Sequence, residues 1–170
     1  EVVLDWCKAR GYMNGENPAR LKGALGELLP KAQKIKKVEH HAAIHHTQVY
    51  EFVQQVRAMK GTAPLALEFM LLTAARTGEV VAAQWDEIDM AGKIWTVPAE
   101  RMKANREHRV PLCSRAIDIL RTMQAAQQNV YIFTGHSIQK NSHLSTGAFL
   151  ALFKRLPQFK QFTPHGLRSC

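Results

Sequence analysis

Acidic residues are scarce in this chain, and cysteine is scarcer. Fourteen Asp and Glu stand against 23 Lys and Arg, giving a formal net charge of +9 and a pI near 9.8. So basic a balance disfavours a cationic partner and favours a polyanion, with nucleic acid the first candidate; a merely solvated basic surface is the alternative. The three cysteines, Cys7, Cys113 and Cys170, lie too far apart for a disulfide framework, and no pair has metal-ligand spacing. Reduced thiols in a cytoplasmic protein are expected. Long hydrophobic runs are also missing. The apolar stretch Leu65–Ala75 is too short for a membrane span and contains Glu68, so neither a span nor a signal peptide is expected. There is no internal repeat and no low-complexity segment. The first residue is Glu1 rather than Met, which leads to the expectation of a piece of a longer protein.

Hydrophobic residues make up 46% of the 170, enough for one domain with a real core, or one domain and part of another. Residues 1–12 read as the end of a helix, with Val2, Val3, Trp6 and Ala9 on one face and Gly11 as its stop. Arg20 to Leu29 is a short amphipathic stretch closed by Pro30. Lys31, Lys34, Lys36 and Lys37 then form a basic linker that could follow a DNA backbone or simply be solvated. Thr47 is placed to cap a helix running to Lys60. Pro64 opens a second helix to Ala75, apolar nearly all round and hence buried. Thr77-Gly78 breaks or re-aims the chain, and Glu79 to Ile88 reads as a third helix. Lys93–Val97 alternates in the manner of a strand, Arg109–Leu112 is a second strand, and the polar loop Ala99–His108 joins them as a hairpin presenting Lys103. Helices are expected over Ser114–Gln128 and Ser145–Leu156, with Phe149, Leu152 and Phe153 inward, and a short buried strand over Val130–Phe133. Thr163-Pro164 starts a last helix, with His165 and Arg168 one turn apart on one face. The fold class is mainly α with a small antiparallel β-sheet.

Several cations fall where local structure changes. Arg76 follows the buried helix and precedes the Gly break, where it could reach into a cleft or merely pair with terminal carbonyls. Glu79 could hold such a cation, or be a first-turn acid favoured by the helix dipole. Lys103, with Arg101, Arg106 and Arg109 around it, could contact DNA or donate a proton; a solvated loop is the alternative. His165 could relay a proton and Arg168 could clamp two phosphate oxygens, unless both simply decorate a helix start. Together the set suits holding and cleaving a phosphodiester with no metal. His41 and His45, within the His40–His46 cluster, have i, i+4 spacing but no Glu or Cys at a useful distance.

These residues carry a resemblance. Leu72-Thr73-Ala74-Ala75-Arg76-Thr77-Gly78-Glu79, Trp85-Asp86-Glu87-Ile88-Asp89, Trp95 to Lys103, His108-Arg109-Val110-Pro111-Leu112 and Thr163-Pro164-His165-Gly166-Leu167-Arg168 resemble, in order and spacing, the catalytic domain of tyrosine recombinases, and among these the prophage integrases. The resemblance covers residues 38–170 as a catalytic domain; residues 1–37 resemble the exit from the preceding DNA-clamping domain plus a basic linker. It implies that Arg76 and Arg168 bind the non-bridging oxygens of the scissile phosphate. It further implies that Lys103 protonates the departing 5′ oxygen, that His165 assists proton transfer, and that Glu79 supports the cations. Arg101, Arg106, Arg109, Lys36 and Lys37 are expected to contact DNA. A tyrosine attacks phosphorus in this family, forming a 3′-phosphotyrosine link without metal, ATP or cofactor.

The sequence departs from that pattern at one point. The tyrosine should follow Arg168, whereas Tyr12, Tyr50 and Tyr131 all precede it and match nothing in that role. The expectation is a catalytic domain truncated before its nucleophile, inactive and monomeric by itself. Its partners would be double-stranded attachment-site DNA and other integrase protomers, at the bacterial nucleoid and away from membranes. A helical DNA-binding module without chemistry, a type IB topoisomerase and a zinc enzyme built on His40–His46 remain as rivals.

Overall fold

The structure, a computed structural model, describes residues 1–29, 42–102, 104–127, 129–135 and 142–169. Side chains are described throughout these except at Gly23, Ala24, Glu27, Arg168 and Ser169. The chain falls into two compact units, Glu1–His40 and His41–Cys170. The sequence had suggested a division after residue 37.

In the first unit, helix α1 (Val2–Ala9) ends where Gly11 takes φ +75°, a left-handed conformation that glycine adopts without strain. The expected apolar face is there, but Val2, Val3 and Trp6 are exposed; Trp6 stacks on Tyr12 and lies under the Arg10 guanidinium. Asn17 is buried, donating to the Glu1 carbonyl and to Asp5. A π-helical turn, Leu21–Leu25, runs into the short α2 (Gly26–Leu28). The linker residues 31–37, with Lys36 and Lys37, lie outside the described residues.

The second unit is built around one helix. α3 (His46–Ala58) leads through Gly61 to α4 (Thr62–Thr73). α4 is buried at Pro64, Ala66, Leu67, Phe69, Met70 and Thr73, as an all-round apolar helix must be. It touches α3, α5 (Thr77–Val81), α6 (Ser114–Ala125), α7 (Gly147–Arg155) and a 3₁₀ turn at Pro164–Ser169. The aromatic rings of Phe69, Trp95 and Phe133 meet on one side of it, and those of Phe52, Phe153 and Phe159 meet elsewhere in the core. A three-stranded antiparallel sheet has order β1 (Ile88–Asp89), β2 (Ile94–Val97), β3 (His108–Pro111), with Trp95 opposite Val110 and Thr96 opposite Arg109. Trp95, Val97 and Val110 turn inward, the period-two burial of a half-covered sheet. The architecture is mainly helical with a small sheet, and the hairpin forms where alternation placed it.

Four local expectations change. His45, not Thr47, is the N-cap of α3; its ring Nδ1 lies 2.8 Å from the Thr47 hydroxyl and accepts the Thr47 N–H. The third helix stops at Val81 instead of Ile88. Its continuation is pre-empted because the backbone of 83–85 pairs with 130–132: Trp85 N–H donates to Val130 and Ile132 N–H to Ala83. Trp85–Glu87 is then a 3₁₀ turn. That same pairing reduces Val130–Phe133 to a single bridge at Tyr131, with Val130 exposed and Ile132 and Phe133 buried. The last helix is the 3₁₀ turn Pro164–Ser169.

Candidate active site

α4 ends without a glycine. Ala74 enters the left-handed region at φ +50°, and the chain turns into α5 with Arg76 as its N-cap. Glu79 then caps the turn, accepting twice from Arg76. One carboxylate oxygen accepts the Arg76 backbone N–H at 2.8 Å and the other the Arg76 Nη1 at 2.7 Å. The Glu79 side chain is 6% exposed and that of Arg76 46%. A buried carboxylate therefore anchors a half-exposed guanidinium. That is the preorganisation an oxyanion needs: the donor is placed before the anion arrives.

Behind this pair lies a second buried carboxylate. Glu87 Oε2 accepts the indole N–H of fully buried Trp95 at 2.9 Å, and Oε1 pairs with Arg101. Arg101 Nη2 donates in turn to the Glu79 backbone carbonyl at 2.7 Å. Arg101 was expected to face DNA. Its guanidinium is turned inward instead, toward the buried Glu87 carboxylate and the Glu79 carbonyl. Arg106 and Arg109 do lie exposed, in the hairpin loop and on β3. Lys103 lies outside the described residues.

His165 is exposed on the 3₁₀ turn Pro164–Ser169, which lies against α4. With three residues per turn, this geometry sets backbone positions 165 and 168 one above the other. Thr163 accepts the Gly166 N–H through both its carbonyl and its hydroxyl, as a cap should. Gly166 is there because the backbone passes close to Ala42: a Cβ would sit 2.2 Å from the Ala42 carbonyl oxygen. Leu167, 5% exposed, pins the turn to the core.

The structure thus joins Arg76, Glu79 and Arg101 in one polar network with Glu87, and carries His165 and position 168 on a turn docked to the helix that leads to Arg76. Glu87 was missed as part of this network because its segment reads as helix. A cavity of about 280 Å³, lined by Lys60, Pro64, Leu144, Ala148, Leu152 and Arg155 among others, holds none of these residues. Among the described residues there is no cluster of three or more metal-ligating side chains. None of their helices is long and apolar enough to cross a membrane.

The chain has counterparts among known proteins. The model of the phage integrase family matches residues 42–170. Prophage integrase IntA of Escherichia coli K12 is 31% identical over 147 residues, covering 85% of this chain and 35% of IntA. Prophage integrase IntZ of the same strain is 31% identical over 143 residues, covering 83% of this chain and 35% of IntZ. The chain spans about a third of the length of these relatives. Among solved structures, the Tn1549 transposon integrase in complex with a circular intermediate DNA aligns with TM-score 0.71 at 13% identity, over 98% of this chain and 60% of that one. A lambda integrase tetramer bound to a Holliday junction aligns with TM-score 0.63 at 17% identity, over 99% and 49%.

Proposed function

The chain belongs to the phage integrase family, the tyrosine-type site-specific recombinases, and from that premise we propose that residues 42–170 supply the phosphate-binding and proton-transfer groups of a DNA strand-transfer reaction. The substrate is double-stranded DNA at attachment sites, and the reaction is transesterification through a 3′-phosphotyrosine. Arg76 and Arg168 take the non-bridging oxygens of the scissile phosphate. Charge accumulates there in the pentacoordinate transition state, and guanidiniums meet it with paired donors. His165 shares proton transfer at the attacking oxygen, and Lys103 protonates the leaving 5′ oxygen. Glu79 keeps Arg76 in place. Arg106, Arg109, Lys36 and Lys37 hold the DNA backbone, and further protomers complete the synapse in the bacterial cytoplasm. On this reading none of Tyr12, Tyr50 and Tyr131 is the attacking tyrosine, because all three precede Arg168. On this reading these residues bind DNA only weakly and are monomeric without it.

The observation that carries this reading is the half-exposed Arg76 guanidinium fixed by a buried Glu79. The test uses a full-length protein bearing this sequence and a nicked DNA substrate that traps the covalent adduct. Arg76→Ala is expected to lower adduct formation by about a thousandfold, while DNA affinity falls less than about tenfold. Adduct formation that survives the substitution overturns the reading. A parallel loss of affinity and of one unit of salt slope would make Arg76 a simple backbone contact.

A further inference from the structure

Arg101 makes two contacts that only a guanidinium fork can make together. One arm pairs with Glu87, and the other donates to the Glu79 carbonyl 2.7 Å away. Glu87 is itself held from the opposite side by the Trp95 indole, with a longer contact at 3.4 Å from the Gln84 backbone N–H. Trp95 is fully buried on β2, so this end of the chain of contacts is fixed by the core. Its other end is the first turn of α5, where Glu79 holds Arg76. The order of contacts is therefore Trp95, Glu87, Arg101, Glu79, Arg76, running from the sheet to the half-exposed guanidinium. The Arg101 side chain is 19% exposed, too little to serve as an outward-facing phosphate contact while it makes these bonds. Met102, which follows it and precedes Lys103, packs partly against the core.

Resting on the recombinase reading above, we infer that Glu87 and Arg101 are positioning residues for Arg76. They lock the first turn of α5 to the β-hairpin, so that the guanidinium is held where the phosphate will lie. Neither touches DNA. The same lock fixes the point from which the chain continues toward Lys103. A lysine at 101 keeps the charge but has one ammonium on a flexible stem and cannot bridge the two acceptors in this geometry. Gln at 87 keeps the shape but loses the charge that holds Arg101.

Two measurements test this. In the chain itself, hydrogen exchange of amides 76–82 is expected to rise about fivefold or more in Arg101→Lys and in Glu87→Gln, while α6 stays unchanged. No rise at 76–82, or an equal rise throughout, overturns the inference, the second by showing plain loss of stability. In the full-length protein, single-turnover cleavage is expected to fall about ten- to a hundredfold in each variant with DNA affinity held within about threefold, and the double variant should be no slower than the slower single one. Full cleavage in Arg101→Lys, combined with weakened binding in Arg101→Gln, overturns it in favour of a direct DNA contact. A wild-type protein that forms no adduct defeats the recombinase reading instead, and the exchange measurement then still decides whether the lock exists.

Discussion

Glu68 and Glu79 are both buried carboxylates held by arginine, yet they sit in different kinds of arrangement. Glu68, at the middle of α4, gives one oxygen to Arg57 of α3 and both to Arg115 of α6, with contacts of 2.6 to 2.9 Å. Two cations converge on one anion, and three helices are tied together. Burial alone would push the Glu68 carboxyl up; the hydrogen bonds from Arg115 and Arg57 outweigh it and hold it below the ordinary 4.5. Glu79 accepts from the Arg76 guanidinium with one oxygen and from the Arg76 backbone N–H with the other. The first arrangement consumes positive charge to join elements. The second lies within a single turn, and its guanidinium stays half-exposed. An ion pair near a site is thus best judged by how many donors it leaves over.

The largest effect on stability that would break this contrast lies at Glu68. Glu68→Ala strands two arginines and empties a packed position, and is expected to destabilise the second unit by about 3 kcal/mol in urea unfolding. A change under about 1 kcal/mol would mean that the junction is ornamental. The acid limb sharpens the same point. A carboxyl whose folded pKa is depressed stabilises the native state when ionised, and that contribution is lost as pH falls through the folded value. Wild-type stability should therefore fall below pH 4.5, and the gap between it and Glu68→Gln should close there. A gap that stays constant from pH 7 to pH 3 would remove the charge from the explanation. The smallest effect is at the site. Glu79→Gln should cost about 1 kcal/mol or less, because Arg76 is half-exposed and can turn to water, while cleavage by the full-length protein drops far more than that stability loss would produce. Equal losses in stability and cleavage would make Glu79 another Glu68.

Much of this was legible in the residues. The all-round apolar helix before Arg76, the alternation of Lys93–Val97 and the Thr163-Pro164 start each correspond to an element that forms nearby. Arg76 and Glu79 at three-residue spacing pointed to the pair that is found. What stayed hidden depends on contacts between distant segments. Trp85–Glu87 has helical composition, but the neighbouring backbone is taken by residues 130–132. The left-handed turn at Ala74 has no glycine to announce it. Arg101 looks like any loop cation until Trp95 and Glu87 are seen beneath it. The exposed face of α1 carried the period of a buried one, and periodicity cannot say what, if anything, covers a face.

The close passage of Gly166 by Ala42 has a consequence for biogenesis. It brings together the first and last described stretches of the second unit, so the turn bearing His165 docks only after nearly all of that unit has been synthesised. A ribosome-bound or half-collapsed intermediate would already have the Arg76–Glu79 pair, a local contact, but would lack the histidine seat. A contact of such long sequence separation forms late and at a large loop-closure entropy.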